Sequence, residues 1–223
     1  MKTSKIILFS YISLLALIFL GFVIYLTQFD HETRHREQMN YKTISEELPS
    51  FKYISVDGES IKIKGGDKSE LSVMVKPDTI IAKLNYNCEN DTLYISHSDL
   101  NNNLTIHIKE PSTVNVISNR SRIWITNLNA DTLNYKGLNG SEINGFNDTK
   151  IQVVNAALSE SRFHAYNGSF DQMRLDADRS NVNVRCMMSE ITGQIKDNSE
   201  VRFNNADILN MKKDKSSRFY CYP

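Results

Sequence analysis

A repeat of about 19 residues in the C-terminal half constrains the fold of this chain more than any other feature. Six segments share the pattern Ser-x-apolar-x, and successive serines lie 20, 20, 19, 19 and 18 residues apart. The segments begin at Ser121, Ser141, Ser161, Ser180, Ser199 and Ser217. A second alternating run lies midway between successive serines, at Leu133–Tyr135, Ile151–Val153, Met173–Leu175, Ile191–Ile195 and Leu209–Met211. Since a period of two places side chains on one face of a strand, each repeat holds two or three short strands.

A repeat of this length fits one coil of a parallel β-solenoid. It is too short for a propeller blade, and it lacks the regular leucines of a leucine-rich repeat. Each strand would pair with its equivalent in the next coil, ~4.8 Å away. The apolar position then forms an internal column, which comprises Ile123, Ile143, Phe163, Val182, Val201 and Phe219. We therefore predict an all-β parallel β-helix, or solenoid.

The serines of the repeat are expected to lie at turns. There they would form a ladder of hydroxyl and backbone groups along the stack. No G-x-S-x-G motif and no Ser-His-Asp set accompanies them, so the sequence does not favour nucleophilic serines.

Composition agrees with a turn-rich β fold and excludes some functions. The chain has 23 Asn, and Asn is a frequent turn residue. Lys and Arg number 26, as do Asp and Glu, which argues against a nucleic-acid binder because such proteins carry a basic excess. The balance holds in each part: residues 1–50 carry five charges of each sign and residues 51–223 carry 21. We therefore expect ligand recognition by shape and by neutral polar groups, chiefly Asn.

The N-terminal segment 6–26 contains 21 residues without a charge. A helix of this length is ~30 Å long, enough to cross a bilayer core. We predict one uncleaved transmembrane helix at 6–26 behind a cytoplasmic tail at 1–5. A cleavable signal peptide is the alternative, but the apolar run is longer than usual and no A-x-A-like site follows it. Lys2 and Lys5 precede the segment and Arg34 and Arg36 follow it, so charge bias alone does not decide the orientation.

Residues 27–50 are predicted to form a stalk in which the helix continues outward until Pro49. Within it, His31, Glu32 and His35 spell H-E-x-x-H, which on a helix presents two zinc ligands and a general base. Catalysis also needs a third ligand and a cleft, and Gln38 and Tyr41 stand where the metzincin extension has Gly and His. We interpret the segment as a solvated stalk and leave open whether it binds a metal.

The three cysteines, Cys88, Cys186 and Cys221, form no C-x-x-C pair, so neither a zinc ribbon nor a thioredoxin-like site is indicated. Buried cysteines acting as small apolar residues are expected. Cys186 and Cys221 belong to coils with one coil between them, which is ~9–10 Å along the stack. Because a disulfide needs Cα atoms within ~7 Å, we predict no bond between these two.

The first part of the domain does not follow the 19-residue repeat. Its predicted strands lie at 51–58, 61–66, 71–75, 92–95 and 104–108. It carries F-x-x-I-x-V-x-G at 51–58, I-x-I-x-G-G-D at 61–67, L-x-V at 71–73 and L-Y-I at 93–95. With the ladder from Ser121, these motifs resemble the auto-transporter adhesin head GIN domain family of exported bacterial proteins, over residues 51–220. The turns here are richer in Asn and charge and poorer in Gly than is typical of that family. The resemblance implies a β-helix-like, exported and membrane-tethered domain without established catalysis.

Two functions from different classes follow. The first is a membrane-anchored, envelope-facing, non-catalytic binding or structural module, exported to the periplasm or cell surface. Its partner would be a cell-surface carbohydrate or an envelope protein. Four aromatic side chains taken as exposed would stack on sugars, with core packing or routine surface exposure as the alternative for each: Trp124, Tyr135, Tyr166 and Tyr220.

The second function is a polysaccharide-acting enzyme, which needs paired carboxylates ~5–10 Å apart in a groove. Its candidates are Asp171, Asp176 and Asp178, although acidic turn residues beside Arg174 and Arg179 are the simpler interpretation. A third idea, an envelope sensor, conflicts with the very short cytoplasmic tail.

The remaining polar motifs carry no assigned chemistry. His97, His107 and His164 are isolated in the sequence. The stretch 65–67, Gly-Gly-Asp, lacks the helix and Lys of a phosphate loop. We therefore assign no catalytic, cofactor-binding or metal residue and predict no cofactor.

Overall fold

The computed structural model describes residues 15–23, 25, 41–75, 86–96, 104–109, 111–204 and 206–222. The chain divides into two compact units, residues 1–41 and 42–223. In the first, residues 15–23 and 25 are helical. The second contains nineteen strands among its described residues. They are β1 (Lys42–Glu47), β2 (Tyr53–Asp57), β3 (Ser60–Gly66), β4 (Glu70–Val75), β5 (Asn87–Glu89), β6 (Thr92–Ser96), β7 (Leu104–Lys109), β8 (Thr113–Asn119), β9 (Arg122–Thr126), β10 (Asn129–Leu138), β11 (Glu142–Asn147), β12 (Lys150–Ser159), β13 (Arg162–Ala165), β14 (Ser169–Asp178), β15 (Asn181–Val184), β16 (Met188–Lys196), β17 (Glu200–Asn204), β18 (Ala206–Lys213) and β19 (Arg218–Tyr222).

The predicted transmembrane segment is described only in part. Within the described residues, no helix has the length and apolar character needed to cross a membrane. Residues 6–14, 24 and 26 of the predicted span lie outside that part of the chain. The same is true of 27–40, which carry His31, Glu32 and His35.

Residues 42–47 differ from the helical stalk that the sequence indicated. They form β1, which pairs antiparallel with β4 from Lys42 opposite Val75 to Glu47 opposite Glu70. The partly buried Ile44 and Glu46 alternate with exposed neighbours, and β4 supplies hydrogen bonds to the backbone. This long-range pairing outweighs the helical preference of a segment free of Gly and Pro.

The second unit is a parallel β-solenoid of about six turns, as the repeat predicted. Its strands fall into two sheets. Sheet A has the order β1-β4-β7-β3-β9-β11-β13-β15-β17-β19, and sheet B has the order β18-β16-β14-β12-β10-β8-β2-β6-β5. From β8 onward the chain alternates between the sheets, so each repeat contributes one strand to each. Both sheets turn their apolar side chains into one continuous core.

The predicted apolar column is confirmed in register. Parallel pairing in sheet A places Ile123 beside Ile143, then adds the other four members of the column in order. Phe163 lies at the middle and is fully buried, with its ring 5.4 Å from that of Phe146. Phe219, at the end, is only partly buried. The apolar column is therefore less deeply buried at Phe219 than at its other members.

The serine ladder is also confirmed, and it fills the corners between the sheets. All six serines of the repeat are buried. Ser161 donates its backbone N–H to Ser180 Oγ at 3.0 Å, and Ser180 donates its N–H to Ser199 Oγ at 3.1 Å. Ser180 Oγ in turn donates to the Asp178 carbonyl at 2.7 Å. The hydroxyls therefore form hydrogen bonds with backbone groups that, at a tight corner, do not pair with a neighbouring strand.

The first coil in the sequence is not at the end of the stack. In sheet B, β2 lies between β6 and β8, and in sheet A, β3 lies between β7 and β9. The β2–β3 coil is therefore inserted between two later coils. Beyond β7, the antiparallel strands β4 and β1 extend sheet A, while β5 extends sheet B beyond β6. These strands cover the N-terminal end of the core.

The cysteines occupy different environments. Cys186 follows β15 and is buried, which raises the pKa of its thiol. Cys221 lies in β19 and is exposed, and Cys88 in β5 is half-buried. In sheet A, β17 lies between β15 and β19. One coil therefore separates the coils of Cys186 and Cys221, as the repeat predicted.

Candidate binding groove

The outer face of sheet B forms an open groove of about 760 Å³. Two rows of side chains run across the strands along its length. The first row, the amide row, follows the register of paired strands from β2 to β18. It comprises Tyr53, Asn115, Asn134, Asn155, Arg174, Thr192 and Asn210.

Alternation along each strand explains why polar residues form this row. In β10, the buried Leu133 and Tyr135 flank Asn134, so its side chain points outward. In β12, Asn155 lies in the same way beside the buried Val154 and Ala156. Parallel pairing in register then stacks these outward positions at the ~4.8 Å spacing of neighbouring strands.

Three asparagines of the row are linked by hydrogen bonds between their side chains. Asn115 donates to the Lys52 carbonyl at 2.9 Å, and Asn134 donates to Asn115 Oδ1 at 2.8 Å. Asn155 donates to Asn134 Oδ1 at 2.7 Å. Each bond uses one N–H of an amide that has two, and one lone pair of an oxygen that has two. The fixed amides therefore retain capacity for a ligand.

The second row carries three of the four charged side chains of the groove. It comprises Ile117, Lys136, Ala157, Asp176, Gln194 and Lys212, again in strand order. Ile117 is 39% exposed and supplies apolar surface. Among the described groove residues, Lys136, Arg174 and Lys212 are opposed by a single carboxylate, that of Asp176. The groove is therefore basic on a chain whose net charge is zero.

The predicted sugar-stacking aromatics do not line this groove as a set. Trp124 is 41% exposed but lies in β9 of sheet A. Tyr166 and Tyr220 have the guanidinium groups of Arg185 and Arg202 at 5.8 Å and 5.7 Å from their ring centres.

The assignment of Tyr135 to an exposed face is wrong. Its side chain is 2% exposed, and its hydroxyl lies 2.8 Å from Ser118 Oγ inside the core. Burial raises the pKa of this phenol far above its usual range. Instead, the exposed aromatics on sheet B are Tyr53, in the amide row, and Tyr94, paired in register with Ser55. The period-two pattern of β2 and β6 was the signal that could have identified them.

The candidate catalytic carboxylates lie at three separate places along β14. Asp176 is in the sheet B groove. Asp171, five residues earlier and so ~16 Å away along the strand, lines a second groove of about 830 Å³ with Asp67 and Asp131. Asp178 lies at the corner, 3.6 Å from both Arg179 Nε and Lys196 Nζ. The three do not converge on one point of a groove.

The remaining sequence candidates have structural partners. His107 Nε2 is 3.1 Å from Ser72 Oγ, and His164 Nδ1 is 3.9 Å from the Glu142 carboxylate. A Cβ at Gly65 would collide with the carbonyl oxygen of Asn127, which explains one glycine of the Gly-Gly-Asp stretch. In the part of the chain that is described, no three His, Cys, Asp or Glu side chains are arranged to hold a metal. His97 lies outside that part.

No protein-family model and no curated protein sequence matches the chain. Structural comparison aligns it with a "putative adhesin" from Bacteroides fragilis, with 14% identity and a TM-score of 0.45, over 82% of this chain and 97% of that chain. It also aligns with a "putative adhesin" from Parabacteroides distasonis, with 8% identity and a TM-score of 0.42, over 83% and 95%. A "putative lipid binding protein" from Parabacteroides distasonis gives 11% identity and a TM-score of 0.35, over 83% and 98%. At these values, the comparisons assign neither a family nor a ligand to this chain.

Proposed function

We propose that the solenoid is a non-catalytic binding module that holds an extended polysaccharide in the groove on sheet B. The observation that carries this proposal is the hydrogen-bonded row of Asn115, Asn134 and Asn155 on an open face. Amide groups pair with sugar hydroxyls as both donors and acceptors. Their regular spacing suits a polymer with a repeating unit better than a compact small molecule.

Apolar and aromatic surface supports the same ligand class. Ile117 and Ala157 lie exposed between the polar side chains, and Tyr53 lies at one end of the amide row. A sugar ring has apolar faces and a polar rim, so it can contact both kinds of surface at once. Clefts that combine apolar area with a few fixed polar groups are typical ligand sites.

The charge of the groove favours an acidic polysaccharide over a neutral one. Lys136 and Arg174 lie in neighbouring rows, and both are exposed. Carboxylate or sulfate groups on the polymer would form charge-assisted hydrogen bonds with them. The contribution should fall as salt rises, because exposed charges are screened over ~10 Å at 0.1 M ionic strength.

The position of the carboxylates argues for binding without turnover. A glycosidase needs two carboxyl groups on opposite sides of one bond, and Asp176 is the one acid in the described lining of this groove. The enzymatic alternative remains testable, since release of shorter products from the polymer would overturn the proposal. In that case Asp171→Ala or Asp176→Ala should abolish the product.

The binding experiment compares polygalacturonate with a neutral galactan on the full chain in detergent, by isothermal titration calorimetry. We expect binding to polygalacturonate that weakens by about tenfold in the double variant Lys136→Gln/Arg174→Gln. The matched control, Lys62→Gln/Arg162→Gln, removes the same charge from exposed positions in β3 and β13 of sheet A. Equal weakening in both variants, or binding to neither polymer, would contradict the proposal.

The proposal includes the cell-envelope setting. The uncharged run at 6–26, preceded by Lys2 and Lys5, supports a single-pass anchor with the solenoid exported. The motifs at 51–95 support membership of the GIN domain family. Alkaline extraction of membranes tests the anchor: a chain released into the wash is not anchored. Protease treatment of intact cells tests export, because an exported domain is cleaved while a cytoplasmic one is protected.

A further inference from the structure

The charged side chains of the sheet B groove recur on every second strand. Lys136 lies on β10 and Lys212 lies on β18. Midway between them, β14 carries Arg174 and Asp176. Sheet B runs in the order β8, β10, β12, β14, β16 and β18, and the described groove residues on β8, β12 and β16 are uncharged. Along the solenoid axis, the groove therefore alternates between neutral and charged strands.

The register of the parallel strands fixes the spacing of this alternation. Lys136 pairs with Ala157, and Gln194 pairs with Lys212, so each lysine has a neutral register partner on the neighbouring strand. With neighbouring strands ~4.8 Å apart, a strand with a cation recurs every ~9.6 Å. In an extended chain of equatorially linked sugars, each ring advances by a length close to one strand spacing. A polymer lying along the axis therefore places one ring over each strand and a cation beside every second ring.

The neutral strands suit an uncharged sugar and disfavour an acidic one. On β12, the groove presents the amide of Asn155 and the exposed Ala157, and on β8 it presents Asn115 and Ile117. Amides pair with hydroxyl or acetamido groups, and the apolar side chains contact the face of a ring. A carboxylate over these strands would lose hydration without gaining a cation, which costs binding free energy.

We propose that the groove selects a linear polysaccharide with a carboxylate on every second sugar, lying along the solenoid axis with one ring over each strand from β8 to β18. The inference rests on the proposed binding function and narrows its ligand. The acidic sugars form charge-assisted hydrogen bonds with Lys136, Arg174 and Lys212, and the sugars between them lie over β12 and β16. General electrostatic attraction predicts the opposite order of ligands, because it favours the polymer with more charge.

The ligand comparison uses oligosaccharides of equal length on the full chain in detergent, by isothermal titration calorimetry. Hyaluronan alternates a glucuronate with an uncharged N-acetylglucosamine, whereas a glucuronan carries a glucuronate at every sugar. We expect hyaluronan to bind about tenfold more tightly, although it has half as many carboxylates. Hyaluronan whose carboxyls are reduced to alcohols should bind at least about tenfold more weakly than the native form.

Two swap variants change the cation spacing without changing the net charge. Lys136→Ala/Ala157→Lys moves a cation from β10 to its register partner on β12, and both positions are exposed. Lys212→Gln/Gln194→Lys moves a cation from β18 to β16 in the same way. Each places the cation on a strand next to β14, and so each should abolish the preference for hyaluronan over glucuronan.

The control, Arg162→Asn/Asn181→Arg, moves a cation between register partners in β13 and β15 of sheet A and should keep the preference. Circular dichroism checks the fold of each variant. Glucuronan bound as tightly as hyaluronan overturns the alternating ligand and leaves the proposed binding function intact, whereas binding to neither polymer overturns both. A preference that survives both swaps also overturns the inference, because the cation spacing then does not set it.

Discussion

Each serine of the ladder stabilises the solenoid at a corner where the backbone turns from one sheet to the other. Ser180 is 4% exposed and bridges two backbone groups, accepting from Ser161 N–H and donating to the Asp178 carbonyl. The residue before it, Arg179, has a φ of 48°, a left-handed conformation that a non-glycine residue adopts at a cost. The hydroxyl therefore helps to hold a corner that the backbone alone would not favour.

Replacing this hydroxyl tests its contribution. Ser180→Ala leaves a buried N–H and a carbonyl without their partner, so we expect unfolding free energy to fall by about 1–3 kcal/mol. The control, Ser189→Ala, changes an exposed serine in β16 and should cost less than about 0.5 kcal/mol. Urea unfolding followed by circular dichroism measures both. Equal effects of the two substitutions would show that the corner does not depend on the bond.

Asp214 ties the turn before β19 to the turn of the preceding coil. Its carboxylate accepts from Asp197 N–H at 2.8 Å and from Ser217 N–H at 2.9 Å. These bonds, led by the one from Asp197, hold the pKa of the carboxyl well below its usual range. A group with a depressed folded-state pKa stabilises the fold above its unfolded pKa of ~3.9. That stability is lost as pH falls through the folded-state value.

The lowered pKa predicts that the difference in urea midpoint between the wild type and Asp214→Asn depends on pH. At pH 6 the variant should unfold at lower urea than the wild type, and the gap should narrow as pH falls from ~4 to ~2. Urea midpoints at a series of pH values measure this gap. The control is Asp148→Asn, at an exposed turn whose carboxylate accepts no hydrogen bond from the described residues. A gap that stays constant with pH, or an equal narrowing in the control, would contradict the assignment.

At the scale of a strand, Gly193 shows how tightly β16 fits against β14. Its φ is 129°, and a Cβ there would collide with the carbonyl oxygen of Leu175, its register partner. Gly140 also has a positive φ, 84°, but a Cβ there would meet open space. Both glycines therefore have a positive φ, but only at Gly193 would a Cβ collide with a neighbouring strand.

This contrast predicts unequal costs for the same substitution. Gly140→Ala should lower unfolding free energy by about 1 kcal/mol, the cost of a left-handed alanine. Gly193→Ala should cost at least about 2 kcal/mol, because β16 must also move away from β14. Thermal unfolding by calorimetry compares the pair. Equal losses would mean that the strand relaxes freely and that backbone conformation alone sets the cost.

The strands of the repeat were predictable because their side chains alternate with period two. That pattern also held the signal for the amide row, since Asn134 separates the apolar Leu133 and Tyr135. The same run places Tyr135 inside, where the structure has it. Two features had no local signal. Segment 42–47 becomes a strand only through pairing with β4, and the β2–β3 coil is inserted between later coils by contacts distant in sequence.

For the molecule as a whole, the arrangement in coils makes stability depend on position along the stack. A residue in a middle coil is covered on both sides, whereas a residue in the last coil has a neighbour on one side only. Phe163 packs between Ile143 and Val182 and also contacts the rings of Tyr135 and Phe146, at 6.1 Å and 5.4 Å between centres. Phe219 occupies the same column position, and among the described strands its only register partner is Val201. The same side chain therefore has very different surroundings at two equivalent positions.

Truncating both phenylalanines measures this gradient directly. Phe163→Ala should lower unfolding free energy by about 3–5 kcal/mol, the usual cost of a large cavity in a packed core. Phe219→Ala should cost less than half as much, because its side chain is already partly exposed. Urea unfolding followed by circular dichroism measures both variants. Equal costs would show that the coil of Phe219 is packed as firmly as the middle ones.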